Sequence, residues 1–344
     1  MAYTTINKPS DYFNTKLYTG TGATQSITGV GFQPDMNWCK LRTTAYNHVI
    51  VDAVRGVTKV IRPNLNNTED TYTNAITSFD SDGFTLGADT NGEHNRNGDN
   101  IVSWNWKANG AGVSNTDGDI TSTVSANTTS GFSIVSYTGT GSEATIGHGL
   151  GVTPKIVFFK RLDSSANWVV QTPLLGNRVQ LVLNDTSAEN TDSRLGASDN
   201  WSNSVFTVGT YGDMNGSGGT YIAYCFAEKT GFSKFGSYTG AGSNFPFIYT
   251  GFKPAFVMFK NTSSALFWQI HDSARDPFNE VQKRLAANSS DAEGSGSIPI
   301  DFLSNGIKLR TTATTWNESG SNFIYMAFAE APLVASNNVP TTAR

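Results

Sequence analysis

Cysteine occurs twice in 344 residues, and Asp, Glu, Lys and Arg together make up 15%. Cys39 and Cys225 cannot build a disulfide framework, and each reads as a small buried strand residue. Apolar runs of about 20 residues are absent, so no membrane insertion is expected. The first residues, Met1-Ala2-Tyr3-Thr4-Thr5-Ile6, have no basic stretch before an apolar core and do not read as a secretory signal. The formal net charge of −4 offers no electrostatic reason for a nucleic-acid partner.

The chemistry of catalysis is equally sparse. The four histidines, His48, His94, His148 and His271, do not lie at metal-ligand spacing with cysteines or carboxylates, so neither metal nor cofactor is expected. Gly20-Thr21-Gly22 and Gly139-Thr140-Gly141 lack the following helix and third glycine of a dinucleotide loop. The pairs Asp80/Asp82 and Asp117/Asp119 lack further oxygen ligands at calcium-loop spacing and read as turn residues. Nothing assembles a catalytic triad, and no catalytic residue is assigned.

What the chain has in quantity is glycine, 34 residues of it, together with Ser, Thr and Asn, and a stretch repeated three times. Tyr18-Thr19-Gly20-Thr21-Gly22 leads to Pro34 and Lys40; Tyr137-Thr138-Gly139-Thr140-Gly141 leads to Pro154 and Lys160; Tyr238-Thr239-Gly240-Ala241-Gly242 leads to Pro254 and Lys260. Prolines and lysines repeat with the same two offsets, 120 (154 − 34, 160 − 40) and 100 (254 − 154, 260 − 160). Each copy closes on an Asn/Gly turn and an aromatic-rich strand: Asn95 to Trp106, Asn215 to Phe226 and Asn317 to Phe328. A period of about 100 residues is too long for a solenoid and suits one all-β domain.

The expected fold is therefore all-β, with three tandem antiparallel β-sandwich repeat domains of jelly-roll or lectin-like type. An N-terminal arm covers 1–16, the first repeat 17–107, a Gly/Asn/Ser-rich linker 108–118, the second repeat 119–230, the third 231–330 and a C-terminal strap 331–344. The short second junction should pack repeats two and three together and leave repeat one freer. Helical periodicity is confined to Asp276–Leu285, with Asp276 as N-cap and Pro277 in the first turn. Asp52 with Arg55, and Asp272 with Arg275, read as surface or inter-domain ion pairs of little energetic weight.

Candidate binding residues come from the part of the repeat that varies. The closing turn keeps its frame while its neighbours change: His94 and Arg96 in copy one, Tyr211 and Met214 in copy two, Trp316 and Glu318 in copy three. A fixed frame with variable tips is how β-domains carry binding loops, and an indole beside a carboxylate suits a sugar. Trp316 is the expected centre of the external contact. Tyr18, Tyr137, Tyr238 and the repeated prolines and lysines are the scaffold.

Ala2-Tyr3-Thr4-Thr5-Ile6-Asn7-Lys8-Pro9-Ser10, the Tyr-Thr-Gly-Thr-Gly loop, Gly149-Leu150-Gly151-Val152-Thr153-Pro154 and Tyr221-Ile222-Ala223-Tyr224-Cys225-Phe226-Ala227 together resemble a repeat domain of tailed-bacteriophage virion proteins, of the type met in phages of marine bacteria and cyanobacteria. The resemblance covers nearly the whole chain. It implies a non-enzymatic structural protein made in the bacterial cytoplasm and displayed on the virion surface, as a tail fibre or tail-associated adhesin. A capsid decoration or cement protein is the alternative, and a carbohydrate-processing enzyme a third reading. The partners implied are other virion proteins, further copies of the chain (a homo-oligomer such as a trimer) and a host surface glycan.

Overall fold

The computed structural model describes residues 3–296 and 298–334, and the fold is all-β. Helical structure among these residues amounts to single turns, Gly212–Asn215 and Thr314–Asn317 being the α-helical ones. Each sequence copy supplies a large antiparallel sheet with its closing strand inside. In copy one the order is Phe13–Thr19, Asn100–Trp106, Met36–Leu41, Val49–Asp52. In copy two, Phe132–Thr138, Thr220–Phe226, Ile156–Arg161 and Val169–Gln171 take the same places; in copy three, Ser233–Thr239, Asn322–Pro332, Phe252–Asn261 and Gln269–Asp272 do. The strand registers agree as well: Trp38 faces Trp104, Phe158 faces Tyr224 and Met258 faces Met326.

The closing strands are apolar on both faces because both faces are covered. On one side, Tyr221, Ala223 and Cys225 pack with Ile146 and Phe206 of a smaller sheet of the same copy. Copies one and three have matching cores between large and small sheets. On the other side, Ile222, Tyr224 and Phe226 join Val102, Trp104 and Trp106 of copy one and Ile324, Met326 and Phe328 of copy three in one shared core. Trp106, Phe226 and Phe328 hold the same place in the three copies, and their rings meet one another at centroid distances of 6.2, 5.6 and 5.9 Å. Fully burying such side chains stabilises by about 1.5–3 kcal/mol each, so this three-way contact is a major part of the stability.

The copies also meet edge to edge, head to tail, and the circuit closes. The amide of Glu69 in copy one donates to the carbonyl of Leu162 in copy two (2.9 Å), Glu189 in copy two to Thr262 in copy three (2.9 Å), and Glu293 in copy three to Arg42 in copy one (2.8 Å). A second set follows the same circuit. Trp168 Nε1 donates to the Arg62 carbonyl and Trp268 Nε1 to that of Val182, both at 2.9 Å. His48 replaces tryptophan at the third seam. Its Nδ1 accepts from Trp38 Nε1, which leaves Nε2 to donate to Ala286 O at 3.0 Å. The repeated lysines lie at these seams with their side chains buried, and burial pulls each down to about 8. Lys160 donates to Asn66 O of copy one and Lys260 to Thr186 O of copy two, whereas Lys40 donates to Leu41 O beside it.

Several expectations change. Copy one is not freer than the others, because its sheet shares the central core. The linker is tied down: Ala108 and Gly110 amides donate to Asp35, and Val113–Asn115 pairs with Ser122–Asn127 at the edge of copy two's sheet. Residues 13–16 of the supposed arm belong to the strand Phe13–Thr19, and the rest of the described arm packs on its own chain: Ile6 enters the central core, and Thr4 Oγ1 donates to Thr230 O. In the strap, residues 331 and 332 complete Asn322–Pro332, while 335–344 lie outside the described residues. Asp276–Leu285 is not helical. Val281 and Leu285, four apart, enter two different cores, and Asp276 accepts from the amides of Gln282 and Lys283 across a loop. Of the two readings of the Asp/Arg pairs the inter-domain one holds, since both lie buried at seams between copies.

Candidate functional site

The repeated spacing of each closing turn comes from one asparagine that ties it to the Tyr-Thr-Gly loop. Asn215 Oδ1 accepts from Thr140 N (2.8 Å), while its Nδ2 donates to Ser142 O and Gly209 O at 2.6 and 2.8 Å. Asn95 and Asn317 make the same three bonds in their copies. The repeated tyrosine completes the latch, as Tyr18, Tyr137 and Tyr238 hydroxyls donate to the carbonyls of His94, Met214 and Trp316. Glycine is needed where the two loops touch: a Cβ on Gly20 would sit 2.1 Å from Arg96 O, and one on Gly240 2.1 Å from Glu318 O. Asn215→Ala leaves the buried Gly209 carbonyl without its partner and removes the ties to Thr140 N and Ser142 O, which water can reach, so urea unfolding should show a loss of about 1–3 kcal/mol. A loss below about 1 kcal/mol would mean that the loop is held by other contacts.

This latch turns the residue before each asparagine inward. His94, Met214 and Trp316 are buried and are not tips, which corrects the reading of that position as an exposed contact. Trp316 is 2% exposed and donates from Nε1 to His271 Nε2 at 3.1 Å, so truncating it would damage the fold. Neither ring nitrogen of His94 has a hydrogen-bond partner among the described residues, and burial lowers its pKa. Arg96 is exposed, stacks 5.3 Å from the Tyr46 centroid and pairs with Asp99. Tyr211 is half-buried under Arg194, 4.8 Å away. Glu318 accepts from Asn261, Ser264 and Ser321, and these hydrogen bonds lower its pKa. The six candidates thus lie at three separate corners and do not form one site.

In copy three a groove opens beside this latch. It has a volume of about 330 Å³, Trp316 lies at its base, and its walls carry Phe267, Gln269, Arg284, Asp291 and Thr315. The Arg284 guanidinium lies 6.0 Å from the Trp316 ring centroid and donates to Gly296 O. Phe267 is 42% exposed at the rim.

Phe267 is also where copy three departs from the other two. The strand residues His48, Trp168 and Trp268 each donate their amide to an asparagine, Asn64, Asn184 and Asn288 respectively. In copies one and two the free end of that asparagine is held by a second one: Asn64 Nδ2 donates to Asn47 and Asn184 Nδ2 to Asn167, at 2.9 and 3.0 Å. Phe267 occupies that second position, and the Nδ2 of Asn288 finds no partner among the described residues. Gln269 Oε1, in the wall of the groove, is buried and unpartnered on the same terms. Reading for variable tips missed both Phe267 and Asn288. The signal was present in the alignment of Asn47-His48, Asn167-Trp168 and Phe267-Trp268.

The acidic turns are anchors. Asp82 accepts from the amides of Gly29 and Gly31, and Asp119 from the amide and hydroxyl of Thr145. Among the described residues no three His, Cys, Asp or Glu side chains are grouped to hold a metal. No curated protein matches the chain. Residues 8–332, all three copies together, match the family described as Domain of unknown function (DUF7483), and the chain belongs to that family.

Proposed function

We propose that this chain is a non-enzymatic structural protein displayed on the virion of a tailed phage, where it serves as a tail-associated adhesin that contacts the host surface. In this reading the three copies are tandem antiparallel β-sandwich repeats, locked into one rigid block that presents a binding groove. The observation that carries it is the pairing of a closed scaffold with a local break in its internal repeat, at Phe267, beside an open groove. Residues that violate an otherwise consistent local rule mark function more often than residues that obey it. The buried carboxylates add support against catalysis, because Asp52, Asp272, Asp89 and Glu93 are spent on ion pairs and backbone amides. The sequence resemblance supports the virion setting.

A second reading, a capsid decoration protein that meets neighbouring copies or other virion proteins, is favoured by one further surface. Phe247 and Tyr249 are exposed along Phe247–Tyr249, an edge strand of copy three's small sheet, and Phe245 is exposed just before it. Unpaired apolar edges are strand-addition sites unless something covers them. Immunogold labelling of intact virions separates the readings. Label at the tail is the expected result, label spread over the head replaces the adhesin with the decoration protein, and virions free of the protein overturn both.

A further inference from the structure

We infer that the copy-three groove is a saccharide site that takes one pyranose ring, an inference that rests on the adhesin reading and gives it a ligand class. The volume, about 330 Å³, falls at the lower end of the roughly 300–1,000 Å³ of small-ligand clefts. Its chemistry is mixed in the way a sugar is mixed. Phe267 offers an exposed aromatic face at the rim, to which the axial C–H edges of a pyranose, weakly positive, are attracted as other positive edges are. Around it stand donors and acceptors of both kinds: the Arg284 guanidinium, the Thr315 hydroxyl, the Asp291 carboxylate and the Gln269 amide. Hydroxyls that both give and accept can satisfy such a set, whereas a purely anionic ligand would meet Asp291 and a purely apolar one would strand the polar wall.

The strongest support is what the fold gives up there. Asn at position 267 would restore the amide pair that copies one and two possess, yet the chain carries a ring whose exposed face gains little from burial. An unpaired buried polar group costs about 1–3 kcal/mol, so Phe267 is a poor choice for stability alone. Gln269, 5% exposed, lines the groove itself, and its Oε1 is left unsatisfied by the protein's described residues.

The test uses the full chain and a panel of methyl pyranosides, those of glucose, galactose, mannose, N-acetylglucosamine and N-acetylgalactosamine, observed by saturation-transfer NMR at millimolar concentration. At least one should show transfer. Phe267→Asn should weaken that ligand by about tenfold or more while its melting temperature stays equal or rises, because Asn288 regains its partner. Phe278→Ala, which removes an exposed ring elsewhere in copy three, should bind as the parent does. Transfer to no member of the panel overturns the inference, as does a folded Phe267→Asn protein that binds with unchanged affinity. Either failure leaves the location on the virion to be decided separately by the labelling experiment.

Discussion

Replacing Arg275 with alanine should cost about 3–5 kcal/mol, as expected when one partner of a buried ion pair is removed and the other stays. The side chain has no exposure, and its Nε lies 2.5 Å from Asp272. Its other nitrogens donate to Glu293 and to Ile270 O. Copy one reaches the same seam from the other side: Trp104 donates to Asp272 at 3.0 Å and offers its ring to the guanidinium. The second seam is built alike, with Arg55, Asp52 and the Tyr224 hydroxyl. At the third seam the same positions are Thr172, Leu175 and Met326, so the fold itself contains a version of this contact without the ion pair. The double variant Asp272→Thr with Arg275→Leu should therefore lose less than Arg275→Ala alone, since no buried carboxylate of that pair remains. Urea unfolding checks both. A single variant within about 1 kcal/mol of the parent would show that water reaches Asp272.

Acid should destabilise the protein at pH values where its ordinary carboxylates are still ionised. All four histidines are buried, and burial is the leading cause that lowers each one's pKa, His271 to about 3. Unfolded histidines take up protons as the pH falls through about 6.5, while the folded ones do not. The stability they contribute is thus complete above that value and is lost as the pH falls. Between pH 6.5 and 5 each fully protected imidazole accounts for about 2 kcal/mol, and four for about 8 at most, against a typical total of 5–15 kcal/mol. Urea midpoints at pH 7.5 and pH 5 measure it directly. Equal midpoints would mean that the imidazoles are charged in the folded state.

The repeated frame was legible in the sequence because spacing is what a frame requires. Asn215 must stand a fixed distance from Tyr221, and the glycines must stand where two backbones touch. Exposure was not legible in the same way. Met214 and Trp316 sit next to Asn/Gly turns, which look solvated, yet a carbonyl held by Tyr137 or Tyr238 swings the adjacent side chain inward. The helix expected at Asp276–Leu285 failed for a related reason: spacing by four is shared by one face of a helix and by an irregular segment that serves two cores. Three-residue spacing left the ion pairs open between a surface and an inter-domain place, and only the meeting of two copies decides it and buries them. Phe267 needed no structure to find, but its meaning depends on Asn288, whose missing partner is a matter of geometry.

The circuit of Glu69, Glu189 and Glu293 amides has a consequence for concentration. Head-to-tail contacts of this kind ordinarily join separate molecules, and such a ring comes apart on dilution. Here the contacts lie within one chain, so each copy meets its neighbours at an effective concentration set by short connections, of millimolar order for a flexible tether. The block forms at whatever abundance the protein is made. A chain with one copy removed would keep one seam and expose two complementary faces with nothing of its own to cover them, and its state would depend on how many others were near.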